Sequence, residues 1–336
     1  TPEQPNLFDV TFHLLEHGRE VDTVQSYFGM RKVSIQNGQF LLNNRPYYQK
    51  LVLDQGYWPE SLLTAPPDEA FIRDIELTKA MGFNGVRKHQ KVEDPRYLYH
   101  ADRMGLLVWG EIGAAYLYSE QYADRIYREW LDVLRRDYNH PCIVVWTPLN
   151  ESWGVQEIET DPRQQAHSEA MVAITKSMDT TRPVVDNDGW EHTNGDLLTI
   201  HDYSPSGEML RAHLGSMDAI LALRPAQRAL FVGRYAYAGQ PILLSEFGGV
   251  KFVPGTEAQH SWGYCEADSC ATFAEKLWEL FDAVRACPLV DGYCYTQLTD
   301  VETEQNGLLT YDRMPKLPLE TICAILNGRT NEHENL

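Results

Sequence analysis

The chain has 336 residues and a net charge of −19, from 29 Lys and Arg against 48 Asp and Glu. That balance argues against a nucleic-acid partner or an anionic membrane surface, since both need a basic face. With 43% hydrophobic and 23% charged residues, the composition is that of an ordinary globular protein. No apolar stretch approaches the ~18 residues needed to span a bilayer. The opening Thr-Pro-Glu-Gln-Pro-Asn has neither the basic nor the apolar region of a signal peptide. Six cysteines without CxxC spacing, with Cys142 and Cys294 inside apolar runs, predict buried thiols in a reducing, cytoplasmic compartment.

In chain order, FDVTFHLLE (8–16) and GMRKVSI (29–35) alternate apolar and polar residues, and His17-Gly18 between them marks a turn. Residues 1–36 are therefore expected as two or three antiparallel strands, a sheet too small to stand alone. They read as the remnant of a preceding β domain, with an unpaired edge and exposed apolar side chains. From residue 37 to 336 strand-like runs alternate with helical patterns. The runs are 48–53, 83–87, 106–109, 142–146, 183–185, 197–200, 241–244 and 289–295.

Between most of them a helix has legible ends. Asp94-Pro95 is an N-cap with proline at N1, and Gly105 closes that helix. Ser119 opens another with the inward stripe Ile126, Trp130, Val133 and Leu134. Asp68 with Phe71, Ile72 and Ile75 starts a third in the same way. Eight strands with intervening helices predict an α/β fold, a (β/α)8 TIM barrel. A doubly wound sheet is the competitor, but no Gly-rich phosphate turn follows the first strand. One repeat is irregular, because residues 186–196 are too polar and Gly-interrupted for a helix.

Active sites of such barrels lie at the C-terminal ends of the strands. The runs end in Asp54, Arg87 with His89, Glu111, Asn150-Glu151, Asn187, His201 with Tyr203, Glu246, and Gln297. Glu151 and Glu246 sit directly against fully apolar strands, where a carboxylate needs a reason. Two facing carboxyl groups are the machinery of glycoside cleavage, one to protonate the leaving oxygen and one to attack or to activate water. Trp146, Trp153, Trp190, Trp262 and Tyr203 could supply faces on which a sugar ring stacks. No metal pattern is visible and the chemistry requires no cofactor.

Four stretches in sequence order, GFNGVRKH (82–89), HPCIVVWTPLNESWG (140–154), SEFGG (245–249) and YTQLTD (295–300), together resemble the catalytic barrel of glycoside hydrolase family 2. The family contains β-galactosidases, β-glucuronidases and β-mannosidases with retaining chemistry. The resemblance implies that Glu151 is the acid/base, Glu246 the nucleophile and Asn150 the partner of the sugar 2-hydroxyl. It places Arg87 near the nucleophile and Tyr203 in contact with it. It likens residues 1–36 to the end of an immunoglobulin-like sandwich, and implies a chain truncated before that point.

Three departures stand out. Thr296 occupies the place of a strand-8 tryptophan. The Asn-x-Lys element that selects a uronate is not evident, although Lys88 and Lys91 lie near the mouth. No magnesium-binding pattern is seen. Asn150-Glu-Ser152 fits a glycosylation sequon, but a glycan there would fill the site.

The expected activity is that of a retaining exo-β-glycosidase acting on terminal sugars, with a carbohydrate as partner, Glu151 starting with a raised pKa, and no oligomeric state indicated. The alternatives are the same fold on another sugar, as in an α-L-arabinofuranosidase or a galacturonidase, and a carbohydrate-binding barrel impaired in catalysis.

Overall fold

The computed structural model describes residues 1–255 and 260–329. The chain opens with β1 (Phe8–Glu16) and β2 (Arg19–Phe28), then β3 (Val33–Gln36), β4 (Gln39–Leu42) and β5 (Arg45–Pro46). The α/β repeats begin with β6 (Gln49–Asp54), α1 (Asp68–Ala80), β7 (Gly85–Lys88), α2 (Pro95–Met104) and β8 (Leu107–Glu111). They continue with α3 (Glu120–Asp137), β9 (Ile143–Thr147), α4 (Pro162–Met178) and β10 (Leu198–Asp202). After β10 come two short helices, α5 (Gly207–Leu214) and α6 (Met217–Leu221), then β11 (Ile242–Gly248), β12 (Val250–Lys251) and β13 (Cys265–Glu266). The last elements are α7 (Cys270–Arg285), β14 (Val290–Thr296) and α8 (Leu319–Leu326).

Seven strands make one sheet in the order β10-β11-β14-β6-β7-β8-β9, with every pair parallel. The two edges are joined through residues 183–189. Trp146 N donates to Pro183 O and Val185 N to Trp146 O on the β9 side, while His201 N donates to Gly189 O on the β10 side. The sheet is thereby curled into a TIM barrel. The strand expected at 183–185 is reduced to isolated bridges, and no helix follows it. Asp186 and Asp196 spend their carboxylates on backbone and side-chain donors of this segment instead.

Alternation along the strands explains what faces where. Leu51, Leu53, Trp109, Val145, Leu243 and Cys294 form the barrel interior. Val52, Val86, Val108, Trp146, Leu198, Ile200 and Leu244 face outward onto the helices. Trp146 packs edge-on against Trp130 of α3, so it is core and offers no sugar platform. The helix ends behave as their residues dictate at Asp94, Gly105 and Ser119. Asp68 does not cap α1; it is the first helical residue and instead pairs with Arg96 at 2.7 Å and His100 at 3.1 Å.

The antiparallel β3-β4-β5 sheet plugs the barrel floor, where Val33, Phe40 and Leu42 join the interior cluster of Leu51, Leu53 and Leu107. The β3-β4 hairpin spans the boundary expected at residue 36. Before it, β1 and β2 pair only with each other. Phe12, Leu14 and Leu15 of this hairpin are about 60% exposed. Several contacts at Tyr27 hold its end to the barrel, among them Asn139 Nδ2 donating to Tyr27 O at 2.7 Å. Tyr27 donates to Asp102 at 2.7 Å, and Asp102 also takes His140 at 2.6 Å.

Candidate active site

Glu246 is turned into the barrel by a β-bulge. Leu244 pairs with Ile200 and with Tyr293, whereas Glu246 pairs with His201 and Phe247 with Tyr295, so Ser245 is an extra residue relative to both neighbouring strands. Strict alternation from Leu243 would send Ser245 and Phe247 inward. The inserted residue flips the parity, so that Glu246 faces the interior and Phe247 packs outward on Phe281. Bulges commonly re-aim one side chain in this way.

Glu151 stands in a loop just beyond β9 and, like Ser152, has a left-handed backbone, with φ of 52° and 58°. That conformation is costly for residues other than glycine and persists only where the surroundings enforce it. Here Glu151 N donates to Asp188 O at 3.0 Å and Ser152 N to Asn187 Oδ1 at 2.9 Å. Asn187 Nδ2 returns to Ser152 Oγ, and Ser152 Oγ donates to Glu191. An oxygen of Glu151, an oxygen of Glu246 and His201 Nδ1 all lie within 4.8 Å of one another. The glutamate side chains are 24% and 5% exposed, so both are largely enclosed.

Arg87, wholly buried, sits at the centre. Its guanidinium holds Glu111 with Nε at 2.8 Å, Asp188 at 2.5 Å and Glu246 at 2.8 Å, and donates to Asn150 Oδ1 at 2.7 Å. One fixed planar fork thus orients three carboxylates and an amide. Asn150 Nδ2 is left buried without a partner. Tyr203 donates to the second oxygen of Glu246 and bonds Thr296 Oγ1 at 3.0 Å. The threonine at the tryptophan's place therefore orients the tyrosine that touches the nucleophile candidate. Tyr203 stacks flat on Tyr264, with centroids 3.4 Å apart. Gly249, at φ 61°, makes that approach possible, because a Cβ there would collide with the Tyr264 ring.

The electrostatics centre on His201, which lies 2.7 Å from Glu151, 2.8 Å from Asp188 and 3.5 Å from Glu246. Burial disfavours its imidazolium, but Glu246 and Asp188 outweigh that and push its pKa up to about 10. For Glu151 burial raises the pKa, yet the hydrogen bond and charge of His201 hold it below its ordinary value. This corrects the expectation of a raised Glu151. The proton that would raise it rests on its histidine partner, so the two titrate as a pair. His89, 3.1 Å from Arg87 and 3.8 Å from Glu246, is lowered by burial and raised more by Glu111.

Other expected site residues are placed differently. Asp54 follows Leu53 and so faces outward, tied to Lys88 at 2.5 Å, which also holds Glu93 at 2.6 Å. Asp54 and Lys88 thus form a buried ion cluster outside the mouth. The next residue, Gln55, is the inward one. Glu111 is fully buried behind Arg87 and His89 and positions them. Asn187 clamps the Glu151 loop. Gln297 is paired with Gln55 at 2.9 Å and Asn306 at 2.7 Å. Trp153 and Trp262 are both 43% exposed, the former against Tyr116 and the latter against Tyr264. Trp190 lies edge-on to His201. Sequence reasoning missed Asp188, Tyr264, Gln55 and Glu304.

A cleft of about 540 Å³ opens beside Glu151, lined by Trp190, His201, Tyr203, Met209, Arg224 and Tyr264 among others. Among the described residues two groups have donor atoms close enough for a metal, Glu151-His201-Glu246 and Asp102-His140-Cys142. In the first group the hydrogen bonds given above already tie these atoms together; in the second, Asp102 takes His140 and Tyr27 while Cys142 Sγ donates to Leu98 O at 3.6 Å. All six cysteines are free thiols, with Cys142, Cys287 and Cys294 buried.

A curled parallel barrel with facing glutamates at its mouth defines the class, and comparison with known proteins supplies the family. Residues 33–260 match the model of "Glycosyl hydrolases family 2, TIM barrel domain", and the chain belongs to that family. It is 32% identical over 203 residues to a β-galactosidase of Vibrio vulnificus, covering 57% of this chain and 19% of that protein. It is 24% identical over 337 residues to a β-glucuronidase of Streptococcus agalactiae, covering 88% of this chain and 52% of that one. The chain thus spans between a fifth and a half of these relatives. Among solved structures, a β-galacturonidase of Eisenbergiella tayi bound to galacturonate superposes with a TM-score of 0.76 at 20% identity, covering 98% of this chain and 59% of that one. A β-D-glucuronidase of Dictyoglomus thermophilum gives 0.78 at 19% identity, covering 99% and 60%. No helix among the described residues is long and apolar enough to cross a membrane.

Proposed function

We propose that this barrel hydrolyses β-glycosides with retention of configuration. The observation that carries the reading is the closeness of Glu151 and Glu246, whose oxygens lie within 4.8 Å. Carboxyl pairs ~5–5.5 Å apart suit double displacement, while ~6.5–9.5 Å leaves room for the water of an inverting enzyme. In the first step Glu246 Oε attacks the anomeric carbon and the bond to the leaving oxygen breaks, with a proton arriving from Glu151. The His201-Glu151 pair is the reservoir of that proton. In the second step Glu151, now the base, takes a proton from water, whose oxygen displaces Glu246. Arg87 and Tyr203 hold Glu246 aimed at the reacting carbon. Asn150 Nδ2 is the free donor for a hydroxyl of the bound sugar.

The exposed β1-β2 hairpin fits the reading of residues 1–36 as the end of an immunoglobulin-like domain in a longer protein. Its apolar side chains would there be covered by the rest of the sandwich.

The test is leaving-group dependence in Glu151→Ala. A dinitrophenyl glycoside needs little protonation, so it should still form the glycosyl-enzyme, giving a burst and then slow turnover because the base is missing. Poor leaving groups should lose both steps. Equal, near wild-type rates on good and poor leaving groups would remove Glu151 from the acid/base role.

A further inference from the structure

Next to Tyr264, which lines the Glu151 cleft, the barrel mouth carries a further carboxyl group that the chemistry above does not use. Glu304 Oε2 accepts from Gln55 Nε2 at 3.0 Å, and Glu304 Oε1 from Asn306 Nδ2 at 3.2 Å. Gln55 continues β6 on its inward side and also reaches Gln297, the residue after Thr296. The backbone fixes Trp262 alongside, since Trp262 N donates to Thr303 O and Gln305 N to Trp262 O. Trp262 in turn packs edge-on against Tyr264, which stacks on Tyr203 over the nucleophile candidate. An exposed indole, a carboxylate and the three carboxamides of Gln55, Gln297 and Asn306 thus share one wall.

Glu304 is linked to Glu246 through Gln55, Gln297 and the Thr296–Tyr203 contact. Burial raises its pKa first, Gln55, Asn306 and His89 lower it, and the Glu246 charge raises it further.

The cations that reach this wall are engaged. Lys91 donates to Gly56 O at 2.8 Å and lies 3.3 Å from Glu93. Lys316 is wholly buried, donating to Asp300 at 2.7 Å and to Gln305 O. Arg87 is taken by its three carboxylates, and His89 lies 3.5 Å from Glu111 and 3.8 Å from Glu246, which share its charge. Around a sugar held against Glu246, the charged groups described beside Gln55 are therefore acidic or already neutralised.

We infer that Glu304, with Gln55 and Trp262, selects a neutral glycone, a hexose whose hydroxyls donate to the carboxylate, and excludes a sugar bearing a carboxylate of its own. This rests on the glycosidase reading and names the substrate class of that site. A uronate here would bring a second negative charge against Glu304 with no free cation beside it among the described residues, and like charges in contact repel strongly. A hydroxyl donating to a carboxylate makes a charge-assisted hydrogen bond, stronger than one between neutral groups. The relatives described above include one named for a neutral sugar and one named for a uronate, so this choice is a real one for the chain.

The experiment measures binding, so it does not depend on turnover. An iminosugar of hexose configuration and its 6-carboxylate analogue are titrated calorimetrically into the wild-type chain, Glu304→Gln and Glu304→Lys. The wild type should favour the neutral ligand by about 100-fold or more, as expected for a like-charge clash. Glu304→Gln, which keeps the shape of the side chain, should weaken the neutral ligand about tenfold and narrow the ratio. Glu304→Lys should narrow it further or reverse it. Preference of the wild type for the carboxylate, or a ratio unmoved in both variants, overturns the inference. If aryl glycosides are still hydrolysed in that case, the glycosidase reading stands. Absence of both binding and hydrolysis removes both.

Discussion

Glu246→Ala is expected to lower the turnover of every glycoside by a factor on the order of 10⁴ or more, the scale seen when a nucleophile that acts as part of a unit is removed. In the mechanism proposed here the covalent intermediate cannot form without the carboxylate, and the alanine leaves a space where the anomeric carbon would be attacked. Azide or formate entering that space should restore a reaction with an activated aryl β-glycoside, giving an adduct of inverted configuration. The rescue distinguishes loss of a nucleophile from loss of the fold, because an unfolded variant has no pocket for the anion to enter. Substantial residual hydrolysis with water, unchanged by azide, would remove Glu246 from the role assigned here.

Arg87→Met should show the largest loss of stability of any single replacement in the barrel mouth. The guanidinium is the shared partner of Glu111, Asp188 and Glu246, all almost completely buried. Removing one member of a buried ion cluster costs about 3–5 kcal/mol, since the remaining charges keep their burial and lose their compensation. Against a total folding stability of about 5–15 kcal/mol, that is a large fraction. His201 can compensate Asp188 and Glu246 in part, but it does not reach Glu111. Arg87→Lys keeps the charge and loses the fork, so it should lie between wild type and Arg87→Met, with activity still severely reduced because Asn150 and Glu246 are no longer aimed together. Urea unfolding of the three proteins measures this. A difference below about 1 kcal/mol between wild type and Arg87→Met would contradict the account of Arg87 as the organising charge.

Much of this was legible in the sequence, and the failures have physical causes. The apolar runs located seven barrel strands within a few residues, because buried parallel strands read as near-continuous hydrophobic stretches. The eighth, at 183–185, is short because its continuation is polar, and it survives only as bridges that close the barrel. Glu151, Glu246, Arg87, Asn150 and Tyr203 stand out as polar groups against apolar strands, and the structure brings them together.

Two assignments are one residue out. Asp54 points to the helices while Gln55 enters the site, and Asn187 holds a loop while Asp188 meets Arg87. A strand end can be found from composition, but which of two adjacent residues faces inward depends on pleat parity, and a bulge such as Ser245 resets that parity without a mark in the sequence. Trp146 illustrates the same limit, since an aromatic on a strand is equally suited to core and to platform. Tyr264 and Glu304 lie on long loops after β12 and β14, where no periodicity exists to place them. The pKa of Glu151 depends on the distance to His201, a residue 50 positions away, and this no local reading can supply.

Proton NMR of the anomeric region during the first minutes of hydrolysis tests the central claim most directly. An aryl β-glycoside accepted by the wild-type chain is followed before mutarotation scrambles the product. The account predicts the β-anomer of the free sugar first, with the α-anomer growing in only at the rate of spontaneous mutarotation, as two displacements at the same carbon require. The α-anomer appearing first would mean a single displacement by water, and Glu246 would then be a base and not a nucleophile.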